Sequence, residues 1–298
     1  MDSPFNFGSG FKSLHERLVG ERAERMEQRK NVLSFGIGFL DAALGGICQT
    51  DLILVGAKMG QGKTALATII AAASVCAGKK VHYFGLEAEE REIERRLKYQ
   101  VLSELMHKQA ARHVDFERMN YLDWYRGDLD DMTGSFEDEA DSLLMGKYAT
   151  LHTYYRTSDF DAEMLGKQLL AVQDETSLAL IDHFHYIDSN DDNENRGHKT
   201  TAKLIRDTAL SMRKPVIVIA HVRKGERKGA PLVPGIEEFH GSSDLPKMAT
   251  KAVMLAWAFD QPNEQNYLWN TYCAIGKCRL DGSRTRYVGL VEYDSRRG

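Results

Sequence analysis

The stretch Val55–Ala67, VGAKMGQGKTALA, constrains this chain more than any other. Before it, Asp51-Leu-Ile-Leu-Val-Gly56 is a short apolar run that predicts a buried strand. After it, Thr64-Ala-Leu-Ala-Thr-Ile-Ile-Ala-Ala-Ala predicts a helix. Strand, glycine-bearing loop and helix in that order put successive backbone N–H groups around one point, a concave donor surface for phosphate oxygens. Gly60 and Gly62 supply the permissive backbone, with Gln61 and Ala65 adding to the same cradle. Lys63 is placed for the β- and γ-phosphates and Thr64 for Mg²⁺, as in a Walker A loop. Ala57 stands where that pattern begins with glycine, so a chance loop is the competing reading.

Three further predicted strands carry polar residues at their ends. Lys80–Gly85 runs into Leu86-Glu87, Leu178–Asp182 is an apolar strand ending in aspartate, and Pro215–Ala220 delivers His221. Open α/β sheets bind ligands at the carboxyl ends of their strands, which brings Glu87, Asp182 and His221 to the edge where the loop lies. Asp182 has the Walker B form and would hold Mg²⁺ through water together with Thr64. Glu87 is a candidate base for activating water; its bland alternative is a helix-capping acid, since four more glutamates follow by residue 94. His221 could bond a γ-phosphate or the attacking water.

Residues 12–30 mix both signs of charge at helical spacing, with Glu21 four before Arg25. This predicts an exposed helix, either solvated or packed on a neighbouring subunit. The chain has 298 residues, enough for one large α/β domain with short appendages. It lacks an apolar run of the roughly 20 residues needed to cross a bilayer, so no membrane span is expected. The start lacks the pattern of a secretory signal and the four cysteines form no CxxC pair, which predicts a cytoplasmic protein with reduced thiols. A net charge of −4 leaves any nucleic-acid contact to a local basic patch.

The segments LSFGIGFLDAALGG, VGAKMGQGKTALA, VHYFGLEAEE, LALIDHFHYID, PVIVIAHVRKGERKG, FHGSSDL and IGKCRLDG follow the order and approximate spacing of the motor domain of DnaB-type hexameric replicative helicases, and the chain resembles the phage-type and Twinkle-type members most. The resemblance covers about residues 30–295, and that family often carries alanine at the first loop position. It implies an α/β fold of the RecA-like P-loop NTPase kind, a mainly parallel twisted sheet flanked by helices. Residues 1–30 would be an arm and 31–298 the motor domain, with 101–148 a helical excursion matching no motif. It further implies ATP or another nucleoside triphosphate with Mg²⁺, single-stranded DNA, and a homo-oligomeric ring, hexameric in the family's manner.

By the same resemblance Lys63 and Thr64 are the phosphate and Mg²⁺ ligands, Glu87 the catalytic base, Asp182 the Walker B acid and His221 the phosphate sensor. Lys277 and Arg279 match a Lys-x-Arg pair that reaches the nucleotide of the adjacent subunit, with Arg279 the finger. A surface strand with two basic residues is the plain alternative. Arg223, Lys224, Arg227 and Lys228 resemble the channel loop that holds DNA, or else form a solvated basic loop. His240–Ser243 with Asp244 match the element that couples hydrolysis to strand movement. The acidic loop 188–195 is a poor candidate for DNA.

The family's base-stacking arginine has no counterpart in Leu255–Asp260, where Trp257 or Phe259 would stack instead. No primase or collar domain fits ahead of residue 30, so assembly is expected to rest on the motor and arm or on a separate primase, loader or other replication protein. Two other readings are a recombinase-like or KaiC-like ATPase without unwinding, and a helicase-associated adaptor that uses ATP as an assembly switch.

Overall fold

The computed structural model describes residues 11–109, 116–189, 191, 193–223, 233–239, 244–258, 268–282, 287–294 and 296–297. Among them are the strands β1 (Leu52–Ala57), β2 (Val81–Gly85), β3 (Leu151–Tyr155), β4 (Leu178–Asp182), β5 (Val216–His221), β6 (Lys251–Trp257), β7 (Leu268–Cys278) and β8 (Val288–Asp294). They form one sheet in the order β3-β2-β4-β5-β1-β6-β7-β8. The pairs from β3 through β6 are parallel, while β7 and β8 pair antiparallel at the far edge.

Central strands that are covered on both faces read as continuous apolar runs rather than alternating ones. All six residues of β1 are buried. Ile53 and Val55 pack toward α4 (Lys63–Cys76), against Leu66, Ala67, Ile70 and Val75. Leu52 and Leu54 face the opposite layer, with Leu165 and Leu169 of α8 (Ala162–Ala171) and Ile205 and Ala209 of α9 (Glu194–Met212). The period-two alternation of one strand thus supplies two cores. Each fully buried Leu or Ile contributes roughly 1.5–3 kcal/mol from removal of apolar surface from water.

The N-terminal region departs from the single exposed helix expected over 12–30. It forms α1 (Leu14–Leu18) and α2 (Glu21–Lys30), separated where Gly20 takes a left-handed φ of +82°. Neither helix buries a residue. The helix α3 (Gly38–Leu44) follows and packs Leu40 and Leu44 into the first core.

Between β2 and β3 run α5 (Glu92–Gln109), α6 (Tyr121–Arg126) and α7 (Asp130–Lys147). These helices carry small cores of their own, one around Tyr99, Met106 and Phe116 and another around Leu102, Leu105 and Ala140. Lys98 ties α5 to α7 through Glu137 at 2.6 Å and Asp141 at 2.8 Å. In the acidic loop, Asn193 caps α9 by accepting from Arg196 N, and Asp191 lies 3.6 Å from the Arg196 guanidinium. The loop's polar residues therefore start a helix.

Candidate functional site

Sheet register assembles the site. Gly85 of β2 lies opposite Asp182 of β4, and Ala57 of β1 lies opposite His221 of β5. Because β4 and β5 are neighbours, the ends of four strands place Glu87, Asp182, His221 and the loop after Ala57 side by side. Glu87 N donates to Asp182 O at 3.3 Å.

Alanine fits at position 57 because that residue is still extended strand, fully buried and paired with β5. The preceding Gly56 is the one that has no room for a side chain: a Cβ there would stand 2.5 Å from Phe239 and 2.8 Å from Met254. Farther along, Gly60 at φ +77° and Gly62 at φ +83° make the turn. No side chain caps the N-terminus of the 14-residue α4, so its first N–H groups face the loop's concavity.

Lys63 is buried, and its ammonium donates to Ala57 O at 3.3 Å and Lys58 O at 2.8 Å. Burial lowers its pKa, an effect opposed by Asp182 and Glu87. Asp182 is buried and accepts from Tyr83 Oη at 2.9 Å and from the Thr64 hydroxyl. Its carboxyl is nevertheless raised above the usual range, chiefly by burial, because those donors and Lys63 only partly compensate. Glu87 is exposed and bonded by Tyr186. His183, directly after Asp182, is wholly buried, and its ring centre lies 3.9 Å from that of His221. Burial first, then the neighbouring His221 and His185, push the His183 imidazole down to about 2.

Lys63, Thr64, Glu87, Asp182 and His221 line a cavity of about 750 Å³ together with Gly60, Gln61, Gly62 and Ala65. Its other wall holds Trp257 and Trp269, with ring centroids 4.6 Å apart. Trp257 approaches the loop closely enough that a Cβ at Gly60 would be 3.8 Å from its ring. Phe259, the alternative stacking residue, lies outside the described residues. Trp269, Tyr293 and Arg96 also line the cavity and do not follow from motif spacing. Trp269 comes into place because Trp257 pairs with Thr271 across the antiparallel β6–β7 ladder, putting Trp269 on the diagonal.

Lys277 and Arg279 do not join this cavity. Their strand runs antiparallel, so its end meets the opposite edge of the sheet, where Arg279 N donates to Thr250 O at 2.8 Å. Lys277 donates to Pro246 O at 2.8 Å and Lys247 O at 3.1 Å. Burial, then the charges of Arg279 and Arg206, lower its pKa. Arg206 on α9, bonded to Thr50 O at 2.6 Å, is a third cation here that sequence spacing does not suggest. Arg223 is exposed just beyond β5 and its N–H donates to Glu238 O at 2.7 Å. Lys224, Arg227, Lys228 and His240–Ser243 lie outside the described residues. The helix α10 (Asp244–Met248) begins at Asp244. No helix among the described residues is long and apolar enough to cross a membrane.

Residues 33–286 match the family model described as DnaB-like helicase C terminal domain. Among solved structures, one described as an ATPase domain is similar with a TM-score of 0.73 and 18% identity, covering 95% of both chains. A DnaB-like replicative helicase, solved with its interactions with primase, is similar with a TM-score of 0.68 and 17% identity. The match covers 95% of this chain and 64% of that one. No curated protein sequence matches the chain.

Proposed function

The chain belongs to the DnaB-like helicase C-terminal domain family, and on that premise we propose that it is a ring-forming motor that couples ATP hydrolysis between subunits to movement along single-stranded DNA in replication. Its fold is the ATPase fold of replicative helicases, and its activity is that of an ATP-dependent helicase. The observation that carries the finer reading is the split of the charged groups. Lys63, Thr64, Glu87, Asp182 and His221 meet at one edge of the sheet, while Lys277, Arg279 and Arg206 meet at the other. A chain so built has half of a phosphate site on each side, and a closed ring, six-fold in this family, brings the halves together.

Thr64 and Asp182 suit Mg²⁺, since a hydroxyl bonded to a buried carboxylate whose negative charge is only partly compensated is an oxygen pair for a hard cation. When bound, Mg²⁺ would offset charge on the triphosphate. Lys63, now held by loop carbonyls, exchanges them for β- and γ-phosphate oxygens, and the free N–H groups of α4 bond the remainder. Glu87 orients the attacking water and His221 contacts the γ-phosphate side. Arg279 from the neighbouring subunit stabilises charge on the transferred group, worth on the order of 10³ or more in turnover. His221 leads through Val222 to Arg223, so the strand exit ties loss of the γ-phosphate to the basic segment 223–228 that we assign to DNA. Trp257 and Trp269 would stack on the base, a contact every nucleobase can make, so triphosphates other than ATP also fit. Cys48, Cys76, Cys273 and Cys278 are all free thiols, which suits a cytoplasmic setting. A separate primase or loader would be its natural partner.

The test is unwinding of a forked duplex with ATP and Mg²⁺ by wild type and Glu87→Gln. Strand separation by wild type only, with nucleotide binding retained in the variant, supports the reading. Hydrolysis without strand separation under any fork or salt condition would point to a translocase or recombinase-like ATPase instead.

A further inference from the structure

Four of the chain's ten histidines gather beside the catalytic edge. The ring centroids of His183 and His221 are 3.9 Å apart, those of His183 and His185 5.2 Å, and those of His185 and His198 5.4 Å. One potential ligand atom from each of Glu87, His183 and His221 lies within 4.8 Å of the other two. His183 has no exposed surface; its Nδ1 stands 3.4 Å from Nδ1 of His185, and its Nε2 has no hydrogen-bond partner. An orphaned buried polar atom is unfavourable, and a ligand at this spot would give it a partner.

We propose that Glu87, His183 and His221 form a binding site for a borderline divalent transition metal such as Zn²⁺, distinct from the oxygen-donor position of Mg²⁺ at Thr64 and Asp182. The donor set decides the class of ion. Two imidazoles and one carboxylate suit zinc or its neighbours, whereas Mg²⁺ selects oxygen and keeps most of its water. Bonds of about 2.0–2.2 Å require the three atoms to draw in by roughly 1 Å. Glu87 is exposed, and its side chain closes that gap by exchanging the Tyr186 hydroxyl for the ion. His185 acts as a positioning residue, bonding the far nitrogen of His183 as outer-shell partners of metal-bound imidazoles do. Resting on the roles given above to Glu87 and His221, an ion here withdraws both from the reaction. Hydrolysis then stops while the loop still holds nucleotide.

The experiment titrates Co²⁺, a spectroscopic stand-in for Zn²⁺, into the untagged, nucleotide-free full chain and reads visible absorption. One saturable Co²⁺ per chain is expected, displaced by stoichiometric Zn²⁺ but not by excess Mg²⁺. Affinity is expected to fall by about tenfold or more in Glu87→Gln and in His221→Asn, whose part-exposed positions spare the fold. His183→Gln gives the same loss, and Cys76→Ser leaves binding intact. Absence of saturable binding, equal binding in Glu87→Gln and His221→Asn, or a sulfur-to-metal charge-transfer band overturns the site. If Co²⁺ fails to bind a chain that hydrolyses ATP with Mg²⁺, the metal site falls and the motor reading stands. If Co²⁺ binds a chain that never hydrolyses ATP, the motor reading falls and the site stands.

Discussion

Tyr83 Oη donates to Asp182 Oδ2 at 2.9 Å, so a buried side-chain hydrogen bond joins two adjacent strands at the carboxylate assigned to Mg²⁺. Burial raises the Asp182 carboxyl despite this donor, so the native state holds the proton more tightly than the unfolded chain does. Stability from this group is therefore greatest at low pH and lost as pH rises from the ordinary value of 3.8 through the raised one. Above the raised value the cost is fully present. Asp182→Asn is accordingly expected to stabilise the nucleotide-free fold by about 1 kcal/mol in urea unfolding while abolishing Mg²⁺-dependent hydrolysis. Lower stability in the variant would contradict the account.

Removing the donor has the opposite sign. Tyr83→Phe leaves the buried carboxylate short of a partner and is expected to cost about 1–3 kcal/mol. In the Asp182→Asn background that cost shrinks, because a neutral amide needs the donor less. A double-mutant cycle measured by urea unfolding checks the coupling; additive losses would show that the hydrogen bond does not support the charge.

His183 gives the pH dependence of the fold a second component. Its folded pKa is depressed to about 2 from 6.5, so its contribution is fully present above pH 6.5 and is lost progressively as pH falls below that. Metal- and nucleotide-free protein should unfold more readily with each step of acidification below 6.5, and His183→Gln should flatten that slope. Parallel pH profiles in the two proteins would remove His183 as the cause.

The tryptophan wall predicts how bases are read. With ring centroids 4.6 Å apart, Trp257 and Trp269 leave no gap for a base between them, so stacking uses an outer face. Nucleotide binding should change the emission of this pair. Trp257→Ala should weaken binding by about tenfold for adenine, guanine and pyrimidine triphosphates alike, since base–aromatic stacking is worth roughly 1–3 kcal/mol and tolerates any base. Loss confined to one base would indicate hydrogen-bond recognition elsewhere.

The sequence displays the strand-loop-helix unit and the strand-end carboxylates because each depends on a short, continuous segment whose neighbours carry the signal. Ala57 is legible as harmless only once β1 is known to extend through it; the steric demand for glycine falls on Gly56, whose crowding comes from Phe239 and Met254 far along the chain. Gly20 breaks the arm because the charge pattern continues across it while the backbone does not. His183, Trp269 and Arg206 escape motif reading for one reason. The order of β4 and β5 brings His183 to His221, the antiparallel β6–β7 register brings Trp269 to Trp257, and packing of α9 brings Arg206 near Arg279. No local spacing encodes those pairings.

The central claim is that each phosphate site is completed by a second subunit and driven by DNA. Its most direct test is the steady-state ATP hydrolysis rate per chain as a function of protein concentration, with and without single-stranded DNA, for wild type and Arg279→Ala, with assembly followed by light scattering. The account predicts that turnover per chain rises with assembly, that DNA raises it further, and that Arg279→Ala assembles and binds nucleotide yet loses about 10³ or more in turnover. Equal turnover per chain in monomer and assembly, indifferent to DNA and to Arg279→Ala, would contradict it.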